Sequence, residues 1–221
     1  MSQELSPEQR GQGANEGLAI PHTEIEIAQD AEIDNLIELL RRPTQALTAE
    51  EYVDSIAKRQ EAVSKHLLRG GVDTLRRFFD RVRQLDEKQP IKIDLSMLEI
   101  SGKLLSGLYL PAANLEKLIF TDSDITGANL TSSKLIAAVA NRAIMRGVIA
   151  TGADFTDAVL VRSDMSGGRF IGCTFINTQM TDVTVDKDTN FAGAVFIGTY
   201  LNGVDLSIPN TTGAVFRGIR R

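Results

Sequence analysis

The sequence predicts a mainly β solenoid preceded by a small α-helical segment, and three observations carry that prediction. One apolar residue recurs at every fifth position, from Leu95, Ile100, Leu105, Leu110, Leu115 and Phe120 through Met180 and Val185, in a chain only 43% hydrophobic. After one extra residue the beat resumes at Phe191, Phe196, Leu201 and Leu206, misses at Thr211 and returns at Phe216. Two residues before each ladder position sits a mostly small residue, as at Ala113, Ser123, Ala128, Ser163 and Cys173. Two residues after it glycine recurs, as at Gly102, Gly127, Gly152 and Gly193. Such internal repetition has to be read before any single segment.

A period of five fits neither the helical 3.6 nor the strand period of 2. Within one unit, however, the small residue and the ladder residue lie two apart and share one side of a short strand. The chain must then bend before the next inward pair, and glycine tolerates the backbone angles such a bend needs. Equal bends give a coil with a Leu and Phe ladder inside and backbone hydrogen bonds between successive coils.

Segments such as Ala128-Asn129-Leu130-Thr131, Gly152-Ala153-Asp154-Phe155-Thr156 and Gly193-Ala194-Val195-Phe196 strongly resemble the pentapeptide-repeat family, whose unit is Ala-(Asp/Asn)-Leu-x-x. The resemblance covers roughly residues 92 to 218. It implies a right-handed quadrilateral parallel β-helix of about six coils, each of about 20 residues, stacked ~4.8 Å apart. Each buried Leu or Phe is then expected to contribute on the order of 1.5–3 kcal/mol before chain entropy is subtracted.

Departures are informative. Lys103 occupies an inward position, so the regular coil is expected to begin nearer Leu105. Ala140 and Ala150 fill the ladder thinly, and residues 134–150 can alternatively be read as a helix. The step from Asp186 to Phe191 should bulge as a loop, and Pro209 and Thr211 should loosen the last coil.

The implied organisation is a polar tail at residues 1–29, expected to be disordered, a helical segment at 30–90 and the β-helix at 91–221. In the helical segment Ile33, Leu36, Ile37 and Leu40 form an apolar stripe that stops before Pro43. Thr48 and Glu51 make a capping box, followed at helical spacing by Val53, Ile56, Ala57, Val63 and Leu67. Gly70-Gly71 should end that helix, and Asp73 can cap a third carrying Leu75, Phe78, Phe79, Val82 and Leu85. These helices either cover the open end of the first coil, whose edge would otherwise invite pairing, or form a separate recruitment domain.

Several function classes recede. The single cysteine, Cys173, lies in the small inward phase and reads as a buried space-filler. His22 and His66 have no second histidine or cysteine at metal spacing, so neither a metal nor another cofactor is expected. Asp94, Asp124, Asp154, Asp164 and Asp205 all hold the outward position before the ladder and read as mostly solvated parts of the repeat. No active site is found, and the chain is not expected to be an enzyme. No apolar run spans a bilayer and the start lacks a signal-peptide pattern, so the expected location is the cytoplasm. A polar tail of this kind also serves as the export signal of injected bacterial effectors, which keeps that reading open.

A square coil can present faces. Residues 20 apart stack, so Ile119, Val139 and Val159 form one column with Val161 beside it, and Ile136, Ile176 and Ile197 form another. The two columns should flank one corner as an apolar candidate partner surface, although outward Val and Ile are also simply good strand formers.

Protection of DNA gyrase, known in the resembled family and attributed to an acidic coil imitating DNA, needs fixed negative charge along the coil. Residues 91–221 carry twelve acids and twelve bases, a net of zero. Gyrase or topoisomerase protection is therefore the alternative, and a chain of net charge −5 with no basic stripe fits nucleic-acid binding poorly. A non-catalytic scaffold for an unidentified protein partner is the leading expectation, with homodimerisation through the C-terminal coil near Phe216 open.

Overall fold

The structure, a computed structural model, describes residues 24–41, 48–68, 71–88 and 91–221. The expected tail therefore lies largely outside the described residues, as does His22.

From Asp94 onward every fifth residue forms a parallel bridge to the residue 20 further on: Asp94 with Asn114, Glu99 with Ile119, Leu104 with Asp124, and Tyr109 with Asn129. Four units therefore close one coil. Ladder amides donate upward, as Leu95 N–H does to the Asn114 carbonyl at 2.9 Å and Leu130 N–H to the Ile149 carbonyl at 2.7 Å. Only near the C-terminal end do the bridges lengthen into strands, β1 (Thr174–Ile176), β2 (Val195–Ile197) and β3 (Val215–Arg217), paired in parallel in that order.

The residue two after the ladder has positive φ whatever its identity, except at Lys187 and Ile208, where the repeat is interrupted. Gly127 stands at 68°, but Lys117 at 56°, Asp122 at 58° and Arg142 at 56° occupy the same place. A hydrogen bond from the third residue on closes many of these turns, as from Ala128 N–H to the Ile125 carbonyl at 3.0 Å. That is the pattern of a type II turn, which requires positive φ at its third residue. The bend is thus set by the coil, and glycine only makes it cheaper.

Two inward positions per unit fill the interior. The rings of Phe155, Phe175, Phe196 and Phe216 stack at centroid spacings of 5.1, 4.9 and 4.8 Å, one per coil. Several inward hydroxyls and the thiol are satisfied by the coil below: Ser133 Oγ donates to the Leu110 carbonyl at 2.6 Å, Thr178 Oγ1 to Phe155 at 2.7 Å and Cys173 Sγ to Ala150 at 2.8 Å, whereas the buried Ser163 Oγ has no partner among the described residues. Burial pushes the Cys173 thiol pKa up to about 12, which leaves it inert at neutral pH.

Several expectations are corrected. The regular coil begins at Asp94 rather than near Leu105, because Leu98 and Leu108, large residues in the small phase, fill the first coil around a half-buried Lys103. Residues 134–150 are coil and not helix: Lys134, Val139 and Ile144 bridge to Asp154, Val159 and Asp164, and buried Val148 helps fill the space beside Ala140 and Ala150. At the extra residue the bridge spacing becomes 21, as between Arg169 and Asn190. The last coil is looser near Pro209, as expected: the bridge column through Asp164 ends at Thr184 and Ile208 is 48% exposed, although Asn210 keeps a bridge to Asn190.

The helices are α1 (Glu24–Arg41), α2 (Ala49–Ala62), continued by a π-helical turn (Val63–Leu68), and α3 (Gly71–Lys88). α1 begins inside the stretch assigned to the tail. α3 begins at Gly71, so Asp73 lies within it instead of capping it. Ile33, Leu36, Ile37, Leu40, Phe78, Phe79 and Val82 are buried, and Arg81 pairs with Asp34 at 2.7 Å between α3 and α1. The Thr48–Glu51 capping box is present. The α2 stripe differs from expectation: Val53 is 65% exposed and Ala57 is exposed, while Arg59 is buried.

Arg59 explains the difference. It reaches Asp94 in the first coil, with Nη1 2.9 Å from Oδ1 and 3.1 Å from the backbone carbonyl. Asp94 is consequently buried, unlike the solvated aspartate expected. Beside it the Gln60 amide pairs with both backbone groups of Glu99, accepting from N–H at 2.7 Å and donating to the carbonyl at 3.0 Å. The Leu40 carbonyl accepts from Asp94 N–H at 2.9 Å. These groups take the positions that a preceding coil would fill, so the edge is paired at Asp94 and Glu99. No described helix is long and apolar enough to cross a membrane.

Candidate functional site

The coil has four faces, which begin at Asp94, Glu99, Leu104 and Tyr109. On the Glu99 face the column of residues before the ladder runs Ile119, Val139, Val159, Gln179, Tyr200 and Arg220, each bridged to the next. The column after the ladder runs Thr121, Asn141, Val161, Thr181 and Asn202. From Ile119 to Asn202 this face therefore carries no charge.

The corners beside it do. Arg142 grips Asp122 in a bidentate pair at 2.6 Å for both contacts, and Arg162 stands 3.6 Å from Asp182. The Arg142 hydrogen bond holds the Asp122 carboxyl below the usual carboxylate range and raises the guanidinium in return. Around the corner on the Leu104 face, burial pushes the Asp164 carboxyl up. Hydrogen bonds from Ser166 and then Arg146 outweigh that, leaving its pKa lowered. These charges are matched within the coil, leaving a neutral strip between polar margins.

The sequence-predicted surface is found in two parts. Ile119, Val139 and Val159 share the Glu99 face with Val161, and Ile119 is the most open of the four at 37%. Ile136, Ile176 and Ile197 belong to the Asp94 face, where Ile176 pairs with Ile197. Only Ala137 and Ala138 separate Ile136 from Val139, so the columns do flank one corner. The six other than Ile119 are half-buried by their neighbours in the column.

At the helical end of the Glu99 face, Gln60 of α2 overhangs the coil. Gln60, Met97, Glu99, Ile100, Ser101, Lys103 and Ile119 line a cleft there. Sequence reasoning missed it, because Gln60 lies outside the repeat and only the anomaly of Lys103 hinted at it. Among the described residues no group of three or more His, Cys, Asp or Glu is placed to hold a metal ion.

No curated protein matches the sequence. Among solved structures, trypsin-treated QnrB1, a plasmid-mediated fluoroquinolone resistance protein, shares 17% identity over 57% of this chain and 78% of its own, with a TM-score of 0.27. Rfr23 from the cyanobacterium Cyanothece 51142 shares 19% over 55% of this chain and 86% of its own, with a TM-score of 0.22. HetL from Nostoc sp. strain PCC 7120, involved in heterocyst differentiation regulation, shares 13% over 58% and 87%, with a TM-score of 0.17. At these scores the superpositions carry no argument about function. The model for pentapeptide repeats matches in eight copies over residues 141–176 and 151–184, within a ladder that keeps one spacing from Asp94. Residues 141–184 match as pentapeptide repeats, the unit of a family whose members form right-handed β-helices.

Proposed function

We propose that this protein is a non-catalytic scaffold or adaptor that binds a protein partner through the Glu99 face. The observation that carries the reading is the neutral strip from Ile119 to Asn202, bounded by the matched charges of Asp122, Arg142, Arg162 and Asp182. An interface core is depleted in charge while its rim is polar, and the strip with its corners has that arrangement. The corner it shares with Ile136, Ile176 and Ile197 extends the apolar area.

Replacing Val139 and Val159 together by lysine tests this directly. Both side chains are outward, so the coil should keep its unfolding midpoint while a partner captured from the native host by the parent chain is lost. Capture of the same partner by the variant would contradict the proposal. A gyrase supercoiling assay with and without a quinolone separates the alternative: the scaffold reading expects no effect, and protection would replace it by gyrase binding.

A second reading concerns self-association. Phe216 ends the ring stack, 4.8 Å above Phe196, yet remains 41% exposed. An uncovered ring face favours a homodimer through the C-terminal coil. Sedimentation should then show a dimer that Phe216→Glu dissociates, and a monomeric parent chain would contradict it.

A further inference from the structure

We propose that the Leu104 edge of the first coil, with the adjoining cleft, is a docking site for a short extended segment of a partner protein bearing an aliphatic residue flanked by a carboxylate. The helices seal this coil unevenly. At Asp94 the edge is filled by the Leu40 carbonyl and Arg59, and at Glu99 by the Gln60 amide. At Tyr109 α3 holds the side chain, with Asp86 accepting from its hydroxyl at 3.0 Å and the Arg83 guanidinium 5.1 Å from the ring centre. At Leu104 no described residue bonds to the edge. Its N–H and carbonyl make no hydrogen bond among the described residues, and its side chain is 65% exposed.

An unpaired edge accepts a strand, whose backbone supplies the bonds while alternate side chains supply specificity. Gln60 already shows the mode, pairing with both backbone groups of Glu99 as a strand residue would. The charge requirement comes from Lys103, the residue before Leu104 and the one charged side chain in an inward position of the first coil. It is half-buried, lines the cleft and makes no ion pair or hydrogen bond through its ammonium among the described residues. The next acid up that face, Asp124, accepts from Thr126 N–H at 2.9 Å. Met97 at 41% and Ile119 at 37% exposure give the cleft apolar walls for the aliphatic neighbours of the carboxylate.

This inference shares only Ile119 with the strip proposed on the Glu99 face, rests on the Leu104 edge and Lys103, and can be tested without knowing the partner. The probes are two acetylated, amidated pentapeptides, Val-Glu-Leu-Glu-Val and Val-Lys-Leu-Lys-Val, titrated into the isotope-labelled full chain. The free chain should show a rapidly exchanging Leu104 amide. The glutamate peptide should shift and protect the amides of residues 101–106, and Lys103→Met, which keeps the side-chain bulk, should weaken it about fivefold. Equal binding of the lysine peptide, no shift at Leu104, or no effect of Lys103→Met with the coil intact would overturn the proposal. So would a Leu104 amide already protected in the free chain, since another segment or a second copy would then hold the edge.

Discussion

The two ends of the ladder are built from the same repeat and meet different surroundings. At the helical end Ile93, Leu95 and Leu98 are at most 4% exposed, because α1 and α2 stand where a coil would be. At the other end Phe216 is 41% exposed, although its ring stacks on Phe196 as regularly as any ring below it. Burial in such a stack therefore comes from the neighbour above and below, and the repeat alone supplies none at a boundary. The helices matter because they supply a boundary by side-chain contacts unrelated to the repeat.

The largest effect should come from breaking the interior. Phe175→Ala removes a ring held between Phe155 and Phe196 and should cost about 3–5 kcal/mol, whereas Phe216→Ala should cost about 1–2 kcal/mol. Urea unfolding of the two variants measures the contrast, and equal losses would mean that the two ends are not distinguished by burial.

Next comes the helical boundary. Arg59→Ala leaves the Asp94 carboxylate buried and unpaired and should cost about 3 kcal/mol in helix docking. Hydrogen exchange should quicken in α1, α2 and α3 while the amides around Phe155 and Phe175 stay protected. Replacing the pair together, Arg59→Met with Asp94→Leu, should recover most of the loss.

A smaller effect is expected at the bends. Lys117 holds φ of 56° on an exposed corner, so Lys117→Gly relieves strain and should stabilise by about 0.5–1 kcal/mol, read as a higher thermal midpoint.

The smallest concerns acid. The folded-state pKa of Asp164 is lowered, so its contribution is present above the ordinary carboxylate value and is lost as pH falls through the lowered one. The parent chain should lose its advantage over Asp164→Asn in unfolding midpoint below about pH 4, and a constant difference down to about pH 2 would count against the Ser166 and Arg146 contacts.

Much of this was legible in the sequence because it repeats. The ladder, its outward columns and the extra residue before Phe191 are periodic, and a period can be counted. The capping box was legible for a related reason, since Thr48 and Glu51 act over three residues. Arg59 and Gln60 were not legible, because they act on Asp94 and Glu99 across 35 and 39 positions, with no local signal. Val53 and Ala57 fit a helical stripe, but the charged and polar residues of α2 had a better use in meeting a backbone edge. Lys103 misled for the opposite reason: an inward lysine argues against a regular coil unless Leu98 and Leu108 fill the space it leaves.

The most direct test is whether the outward columns keep their register through the extra residue. Gln179 bridges to Tyr200, 21 positions on, with the inward Thr199 one residue short of it. Mild oxidation of Gln179→Cys with Tyr200→Cys should close a disulfide, since parallel neighbours lie within the roughly 4.4–6.8 Å that the bond spans. Gln179→Cys with Thr199→Cys should not close. Closure of the second pair and failure of the first would place the coil one residue out of register and dissolve the neutral face.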